Sequence, residues 1–379
     1  MSETAEVLEA ISSFYSQGRK IALATIVGVT GSTYRRPGAR LLVAEDGKMV
    51  GNLSGGCLEG EVHGVAQIVM ESGESRLELY DLTADDEVVW GWGLGCNGAI
   101  EVFIEPADQA VELAGAIRRA IDEARPVVAA TVLESSAPGV RPGARLLVEE
   151  TGEFSGTLGR ELDDRAVAEE ALRSLAESET VARQVNLPAG TARVFFESIE
   201  PPLRLMICGA GHDSIPVAAA AAGLGWRVVV VDDRESLLNR ERFPGAQTFV
   251  NCPPGETATA AAVDERTYSV VMSHNYLRDK DYLRSLAGSR AAYVGMLGPK
   301  ARLERLLGDL ATEGVSPGDE ELERIYGPAG LDIGAEGPEE IAAAIVAEIL
   351  ALGRGRKAGF LKDRNEPIHP RRQQPAVAT

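Results

Sequence analysis

Arg36-Pro37-Gly38-Ala39-Arg40-Leu41-Leu42-Val43 recurs letter for letter as Arg141-Pro142-Gly143-Ala144-Arg145-Leu146-Leu147-Val148, 105 residues further on (36 to 141). At the same offset the strand candidate around Ala24 falls on the one around Ala129, the Gly47 turn on Gly152 and Gly51 on Gly156, with no gap. Ala99-Ile100-Glu101-Val102-Phe103 and Ala192-Arg193-Val194-Phe195-Phe196 read as equivalent closing strands. A repeat of this length is the mark of a duplicated supersecondary unit. We therefore expect two related α/β halves, about 20–105 and 125–197, packed as one domain over residues 1–200. Each half holds a strand, a turn-rich loop and a short hairpin, the first turning at Glu45-Asp46-Gly47. Ahead of them, Val7, Leu8, Ile11, Phe14 and Tyr15 recur at helical spacing over residues 3–17.

The duplication supplies an internal control. Val50-Gly51-Asn52-Leu53-Ser54-Gly55-Gly56-Cys57-Leu58-Glu59-Gly60-Glu61 leads from the hairpin into an apolar-periodic helix (Leu58, Val62, Val65, Ile68, Val69). In the second half Gly55, Gly56 and Cys57 are replaced by Arg160, Glu161 and Leu162, so the hairpin-to-helix transition does not need them. Glycines admit close approach of another molecule, and free N–H groups at a helix start favour an anion and a reactive thiolate. Glu59 and Glu61 would oppose that shift if they lie near the sulfur. By the same logic the shared octapeptide is scaffold, although Arg40 and Arg145 are placed to line a cleft between the halves. A second glycine-rich loop, Trp90-Gly91-Trp92-Gly93-Leu94-Gly95-Cys96-Asn97-Gly98, enters the last strand of the first half, and its counterpart Asn186-Leu187-Pro188-Ala189-Gly190 lacks both cysteine and tryptophan. Both asymmetries make the first half the chemical one.

Beyond Pro201-Pro202 the pattern changes. Leu203–Cys208 reads as a buried strand, Gly209-Ala210-Gly211-His212-Asp213-Ser214 as a glycine turn before an alanine-rich helix, and Arg227–Val231 as a strand ending in Asp232-Asp233-Arg234. That is the context of a dinucleotide fingerprint, with Ser214 where a third glycine or alanine is usual. Gly209 permits the turn, Gly211 the approach of a phosphate, and Asp232 or Asp233 a ribose contact, while Arg234 keeps a 2′-phosphate open. His212 is placed to touch phosphate or cap the helix. Strands at Ser269–Met272 and Ala291–Met296 continue a doubly wound sheet over residues 203–352, and His274, at the end of the first of these, is a candidate acid, base or ligand contact. Residues 353–379 read as a flexible tail.

The chain has 379 residues and a formal net charge of −19. Such a balance argues against nucleic-acid partners and requires that an anionic ligand meet local arginines. No stretch is long and apolar enough to span a bilayer, and MSETAEVLEA lacks a signal-peptide pattern, so a cytoplasmic protein without membrane contact is expected. Cys57, Cys96, Cys208 and Cys252 form no CxxC pair and suggest neither a zinc site nor a disulfide framework.

GNLSGGCLEGEV, GLGCNG, MICGAGHDS with VVVVDDR, VVMSHN, GMLGPK and GPAGLDIGAEGPEEIAAAIVAEILA together resemble the XdhC/CoxI family of xanthine dehydrogenase accessory proteins. The resemblance runs over nearly the whole chain; Ser214 and Pro299 depart from the family pattern. It implies a chaperone that binds molybdenum cofactor (molybdopterin), works with a cysteine desulfurase while the cofactor gains its sulfido ligand, and delivers it to a xanthine dehydrogenase-type apoenzyme, commonly as a homodimer. Carried over by position, Cys57 and Cys96 are the candidate catalytic thiols, Cys57 also the metal ligand. Gly55, Gly56, Arg35 and Arg40 are the cofactor-binding candidates of the first domain. Gly209, Gly211, His212, Asp232 and His274 are those of the second, for NAD(P) or another nucleotide. A soft thiolate suits molybdenum or sulfur, and arginines suit the pterin phosphate. Two other classes stand beside this one: an NAD(P)-dependent oxidoreductase using His274 as acid or base, and a non-catalytic scaffold for apoenzyme and desulfurase.

Overall fold

The computed structural model describes residues 3–56, 58–81 and 97–365. The chain divides into two compact units, Met1–Pro202 and Leu203–Thr379. In the first, helix α1 (Glu3–Ser16) precedes strands β1 (Ile21–Ser32), β2 (Arg40–Ala44) and β3 (Met49–Gly51), helix α2 (Glu59–Ser72), and strands β4 (Arg76–Asp81) and β5 (Asn97–Pro106). Helix α3 (Ala107–Glu123) leads to the second copy: β6 (Val127–Ser135), β7 (Arg145–Glu149), β8 (Phe154–Thr157), α4 (Glu161–Ala176), β9 (Val181–Leu187) and β10 (Gly190–Ile199). The two sheets have orders β3-β2-β1-β5-β4 and β8-β7-β6-β10-β9, the same antiparallel arrangement twice. Ala22, Ala24, Ile26, Leu41 and Val43 face α2, while Ile21, Leu23, Leu42 and Ala44 join α1 and α3 on the other face. Both faces are covered, which is why this part of β1 and all of β2 read as unbroken apolar runs rather than alternating ones.

The repeat is not gapless. Thr25 pairs with Arg40 and Thr131 with Arg145, so the first strands correspond at a shift of 106 and Ala24 is equivalent to Ala130, not Ala129. The connection from β1 to β2 is one residue longer than that from β6 to β7, and small residues along both strands leave the register ambiguous in sequence. Each first strand carries a bulge, at Val27 against β5 and at Leu133 against β10. A bulge re-aims a side chain, and here Val27 and Leu133 meet Phe103 and Phe195 in a small core shared by the two sheets.

The two halves also exchange charges. Arg40 of β2 pairs with Glu197 of β10, and Arg145 of β7 pairs with Glu105 of β5 at 2.6 Å, so the identical arginines of the repeat each reach a glutamate of the opposite half. Both pairs are buried, and neither arginine lines an open cleft as expected from the sequence. Arg145 is fully engaged: its Nε donates to Thr131 Oγ1 at 2.9 Å and Nη1 to the Gln109 carbonyl at 3.0 Å. Between the pairs, Arg193 grips the Glu101 carboxylate with two nitrogens, and a Cβ at Gly28 would overlap that carboxylate.

The second unit comprises β11 (Arg204–Cys208), α5 (Ser214–Gly223), β12 (Arg227–Asp232), β13 (Thr248–Asn251), α6 (Thr257–Ala260), β14 (Thr267–Val271), α7 (Tyr276–Ala287), β15 (Tyr293–Met296), α8 (Lys300–Thr312), α9 (Asp319–Leu322), β16 (Ile325–Tyr326) and α10 (Pro338–Gly353). Its sheet is parallel, in the order β13-β12-β11-β14-β15-β16. Helices α5 and α10 pack on one face, α7 and α8 on the other. This is the doubly wound order expected from the sequence, and the strand order reverses between β11 and β14, where such sheets take ligands. Residues 352–360, beyond most of α10, are exposed, and 366–379 lie outside the described residues.

Removing one member of a buried pair strands its partner's charge and costs about 3–5 kcal/mol, whereas replacing both by apolar groups is close to neutral. Arg145→Met is expected to lower stability to urea by that amount, and Arg145→Met combined with Glu105→Leu to recover most of it. A loss below about 1 kcal/mol for the single variant would show that the exchanged pairs do not hold the halves together.

Candidate functional site

The loop between β3 and α2 is built around one carboxylate. Glu59 accepts from the backbone N–H groups of Leu53 (3.1 Å), Ser54 (3.0 Å) and Gly56 (3.0 Å) and from the Ser54 hydroxyl (2.7 Å). Ser54 Oγ in turn receives the Leu58 N–H, and Asn52 Oδ1 receives the Gly55 N–H. Leu53 and Leu58 are buried anchors on either side. Gly55 and Gly56, with φ of 86° and 119°, arch outward into solvent. A Cβ on Gly56 would meet nothing within 4 Å, so these glycines serve backbone shape and access rather than packing. Burial acts to raise the Glu59 pKa, but the Ser54 hydrogen bonds outweigh it and hold the carboxyl below its ordinary value.

The second half contains the same device. Asp164, at the position equivalent to Glu59, accepts from Thr157 Oγ1 at 2.8 Å and from the Leu158 N–H at 2.6 Å. The carboxylate therefore belongs to the scaffold, and the Gly55-Gly56-Cys57 insert rides on it in one half only. Glu59, expected to oppose a thiolate, instead pins the loop; its acidic counterpart at the repeat offset is the sequence signal for that task. The two glycine N–H groups are already taken by Asn52 and Glu59, so what the glycines offer a ligand is access. Cys57 and Cys96 lie outside the described residues.

Of the two arginines expected to bind an anion here, Arg35 pairs with Glu3 and Arg40 with Glu197. The neighbouring Arg36 is exposed and has no hydrogen-bond or ion-pair partner among the described residues, and partial burial draws its pKa below the ordinary arginine value. Beside it Tyr34 is 69% exposed, with a ring carbon 4.0 Å from where a Gly55 Cβ would sit. The arginine that sequence reasoning passes over, because it belongs to the repeated octapeptide, is the one left available.

At the switch point of the second unit, Gly209 (φ 112°) lies against the Ser273 backbone, where a Cβ would come within 2.7 Å, whereas Gly211 faces open space out to His274 at 3.8 Å. Ser214 is buried and donates to the Gly211 carbonyl at 2.7 Å, so it replaces the usual small residue without loosening the turn. Arg242 donates to the carbonyls of Ala210 and Gly211. His212 is exposed; His274, held at φ 55°, brings Nε2 to 3.0 Å from Asp213. Asp232 is buried with both oxygens saturated: Oδ1 accepts from the Arg234 N–H and Nε, and Oδ2 from the Ala210 N–H and the Arg234 Nη2. It is thus no free ribose acceptor. Burial works to raise its pKa, but Arg234 and the Ala210 N–H bring it down to about 2. Cys208 and Cys252 are buried, and burial raises both thiols well above their ordinary range. No cluster of metal-ligating side chains occurs among the described residues.

A duplicated antiparallel α/β unit with one glycine-rich cysteine loop, followed by a Rossmann unit, defines a particular class of two-unit protein. The sequence matches the family model described as the XdhC and CoxI family over residues 14–81 and 120–186, and that of the XdhC Rossmann domain over 205–349. The chain belongs to the XdhC and CoxI family. It is 32% identical over 330 residues to a Bacillus subtilis (strain 168) protein named as a probable xanthine dehydrogenase component, covering 86% of this chain and 92% of that one. A protein of Escherichia coli K12 named molybdenum cofactor insertion chaperone PaoD is 23% identical over 342 residues, covering 88% and 84%. A Bacillus halodurans crystal structure described as a xanthine dehydrogenase superposes with a TM-score of 0.73 at 31% identity, covering 93% of this chain and 97% of that chain.

Two outcomes follow from the carboxylates. Glu59→Ala, which removes a charged acceptor from four donors, is expected to cost about 2–3 kcal/mol in thermal or urea unfolding, and a loss under about 0.5 kcal/mol would mean that the loop holds itself. Because the folded pKa of Asp232 is depressed, its stabilisation is present above the unfolded value near 3.9 and lost as pH falls through about 2. The stability gap between the native chain and Asp232→Asn, on the order of 2 kcal/mol at neutral pH, should therefore close between about pH 4 and pH 2; a gap independent of pH would contradict the assignment.

Proposed function

We propose that the chain binds molybdenum cofactor as cargo at the Gly55-Gly56-Cys57 loop, supports its sulfuration and delivers it to a xanthine dehydrogenase-type apoenzyme. The observation that carries this reading is the asymmetry of the duplication: one carboxylate-pinned loop occurs twice, and only the first copy bears two outward-arching glycines and a cysteine. The names of the Bacillus subtilis and Escherichia coli relatives point the same way.

In this reading the residues divide the work. Arg36, unpaired among the described residues, takes the phosphate of the pterin, a charge-assisted contact that Arg35 and Arg40 are not free to make. The exposed Tyr34 ring lies alongside the pterin, the bare faces of Gly55 and Gly56 admit it, and the Cys57 thiolate faces molybdenum or the incoming sulfur. Cys96 is the second thiol of the same half. A cysteine desulfurase is the sulfur source and the apoenzyme the acceptor. A cytoplasmic homodimer completes the proposal. Among the described residues no helix is long and apolar enough to cross a membrane.

The test is anaerobic loading followed by gel filtration, with molybdenum and pterin quantified for the native chain, Cys57→Ala, Cys96→Ala and Arg36→Ala. We expect near-stoichiometric retention by the native chain, loss in Cys57→Ala and a roughly tenfold weaker affinity in Arg36→Ala. A folded native chain that retains neither molybdenum nor pterin would overturn the reading, and delivery undiminished in Cys57→Ala would favour the scaffold alternative.

A further inference from the structure

The saturated Asp232 decides what kind of dinucleotide the second unit can accept. In a Rossmann fold the acidic residue at the end of the second strand receives the ribose hydroxyls of NAD, which needs carboxylate lone pairs facing the ligand. Here each Asp232 oxygen already accepts two hydrogen bonds, three of the four from Arg234. A ribose diol arriving at this position would find an acceptor with nothing left to give. It would instead meet the guanidinium, whose side chain is 37% exposed and whose Nη1 makes no hydrogen bond among the described residues. The adjoining carboxylate offers no substitute, because Asp233 is engaged by Arg278 at 3.1 Å. The end of β12 thus presents two arginines whose neighbouring carboxylates are neutralised, a setting suited to a phosphate and unsuited to a neutral diol.

The rest of the cleft can hold a pyrophosphate. Gly211 is open above the start of the ten-residue α5, where backbone N–H groups and the helix dipole favour an anion. Asp213, the carboxylate that would repel one, is held by His274 Nε2. Arg242 and Ser214 fix the turn from its carbonyl side.

We propose that the second unit binds a dinucleotide bearing a 2′-phosphate, of the NADP class, in preference to NAD, with Arg234 as the specificity-determining residue and Asp232 as its positioning partner. This goes beyond the cofactor-chaperone reading and does not rest on it.

Calorimetric titration of the full chain with NADP+, NAD+ and adenosine 2′,5′-bisphosphate tests the proposal. The expected result is binding of NADP+ about tenfold or more tighter than NAD+, with adenosine 2′,5′-bisphosphate competing against NADP+. Arg234→Ala should weaken NADP+ by a similar factor and strengthen NAD+, because it releases the Asp232 oxygens to the ribose. Arg234→Gln, which retains a hydrogen bond to Asp232, guards against loss of the fold, and melting curves of both variants establish that they are folded. NAD+ bound as tightly as NADP+, binding of neither by the folded native chain, or an unchanged preference in both folded variants would overturn the proposal. None of these outcomes bears on molybdenum retention by the first unit, so the two readings fail separately.

Discussion

Arg40 with Glu197 and Arg145 with Glu105 are buried charges whose partners lie in the other half of the duplicated unit. A guanidinium is costly to remove from water, and its attraction to a carboxylate offsets that cost only when the geometry is good and the remaining donors are satisfied. Neither half can meet this condition alone. Separated, each would carry a buried arginine with no counter-charge and a buried glutamate with no donor, so the half-unit is not a stable fragment and the docking of the halves is part of folding. The bulges at Val27 and Leu133 serve the same end by turning apolar side chains into the shared core beside Phe103 and Phe195.

This constraint accounts for the one stretch that is identical in both halves. Because the halves are related by an approximate two-fold arrangement, a residue that reaches across from one must reach across from the other, and the octapeptide supplies the arginine from the same hairpin position each time. The pairing is not perfectly symmetric. Arg145 Nε has Thr131 as acceptor, while Arg40 Nε and Thr25 Oγ1 are buried without a partner among the described residues. The scaffold thus tolerates small departures, and the large one, Gly55-Gly56-Cys57 against Arg160-Glu161-Leu162, falls on a loop whose shape the helix carboxylate already secures.

The fold class was legible because its signals are local or repetitive: the octapeptide, the hairpin turn, the strand and glycine turn that open the second unit. The register of the first strands was not, since a slip of one residue among Ala22, Ala24, Ala129 and Ala130 changes little that a sequence can display. Site residues were less legible for a different reason. Arg35, Arg36 and Arg40 are equivalent as letters, and only tertiary pairing separates the two committed to Glu3 and Glu197 from the one that is not. The same holds for Asp232, whose position in the fingerprint is recognisable while its occupation by Arg234 is not, because that contact depends on a side-chain conformation two residues away.

Electrostatics gives these leftover cations their meaning. A chain of net charge −19 repels anions as a whole, but in physiological salt that repulsion is screened beyond about 8 Å, so an anionic ligand responds to the groups within its first few contacts. Arginines already bound to carboxylates contribute little net field there. Arg36 has no such partner among the described residues, and Arg234, though paired, is held by a carboxylate that has no lone pair to spare and still shows a free edge to solvent. A guanidinium fixed in this way loses little conformational freedom when a phosphate arrives, which favours binding more than a mobile lysine of equal charge would. Binding of anions by so acidic a protein is then a matter of where pairing stops rather than of how many positive charges the chain contains.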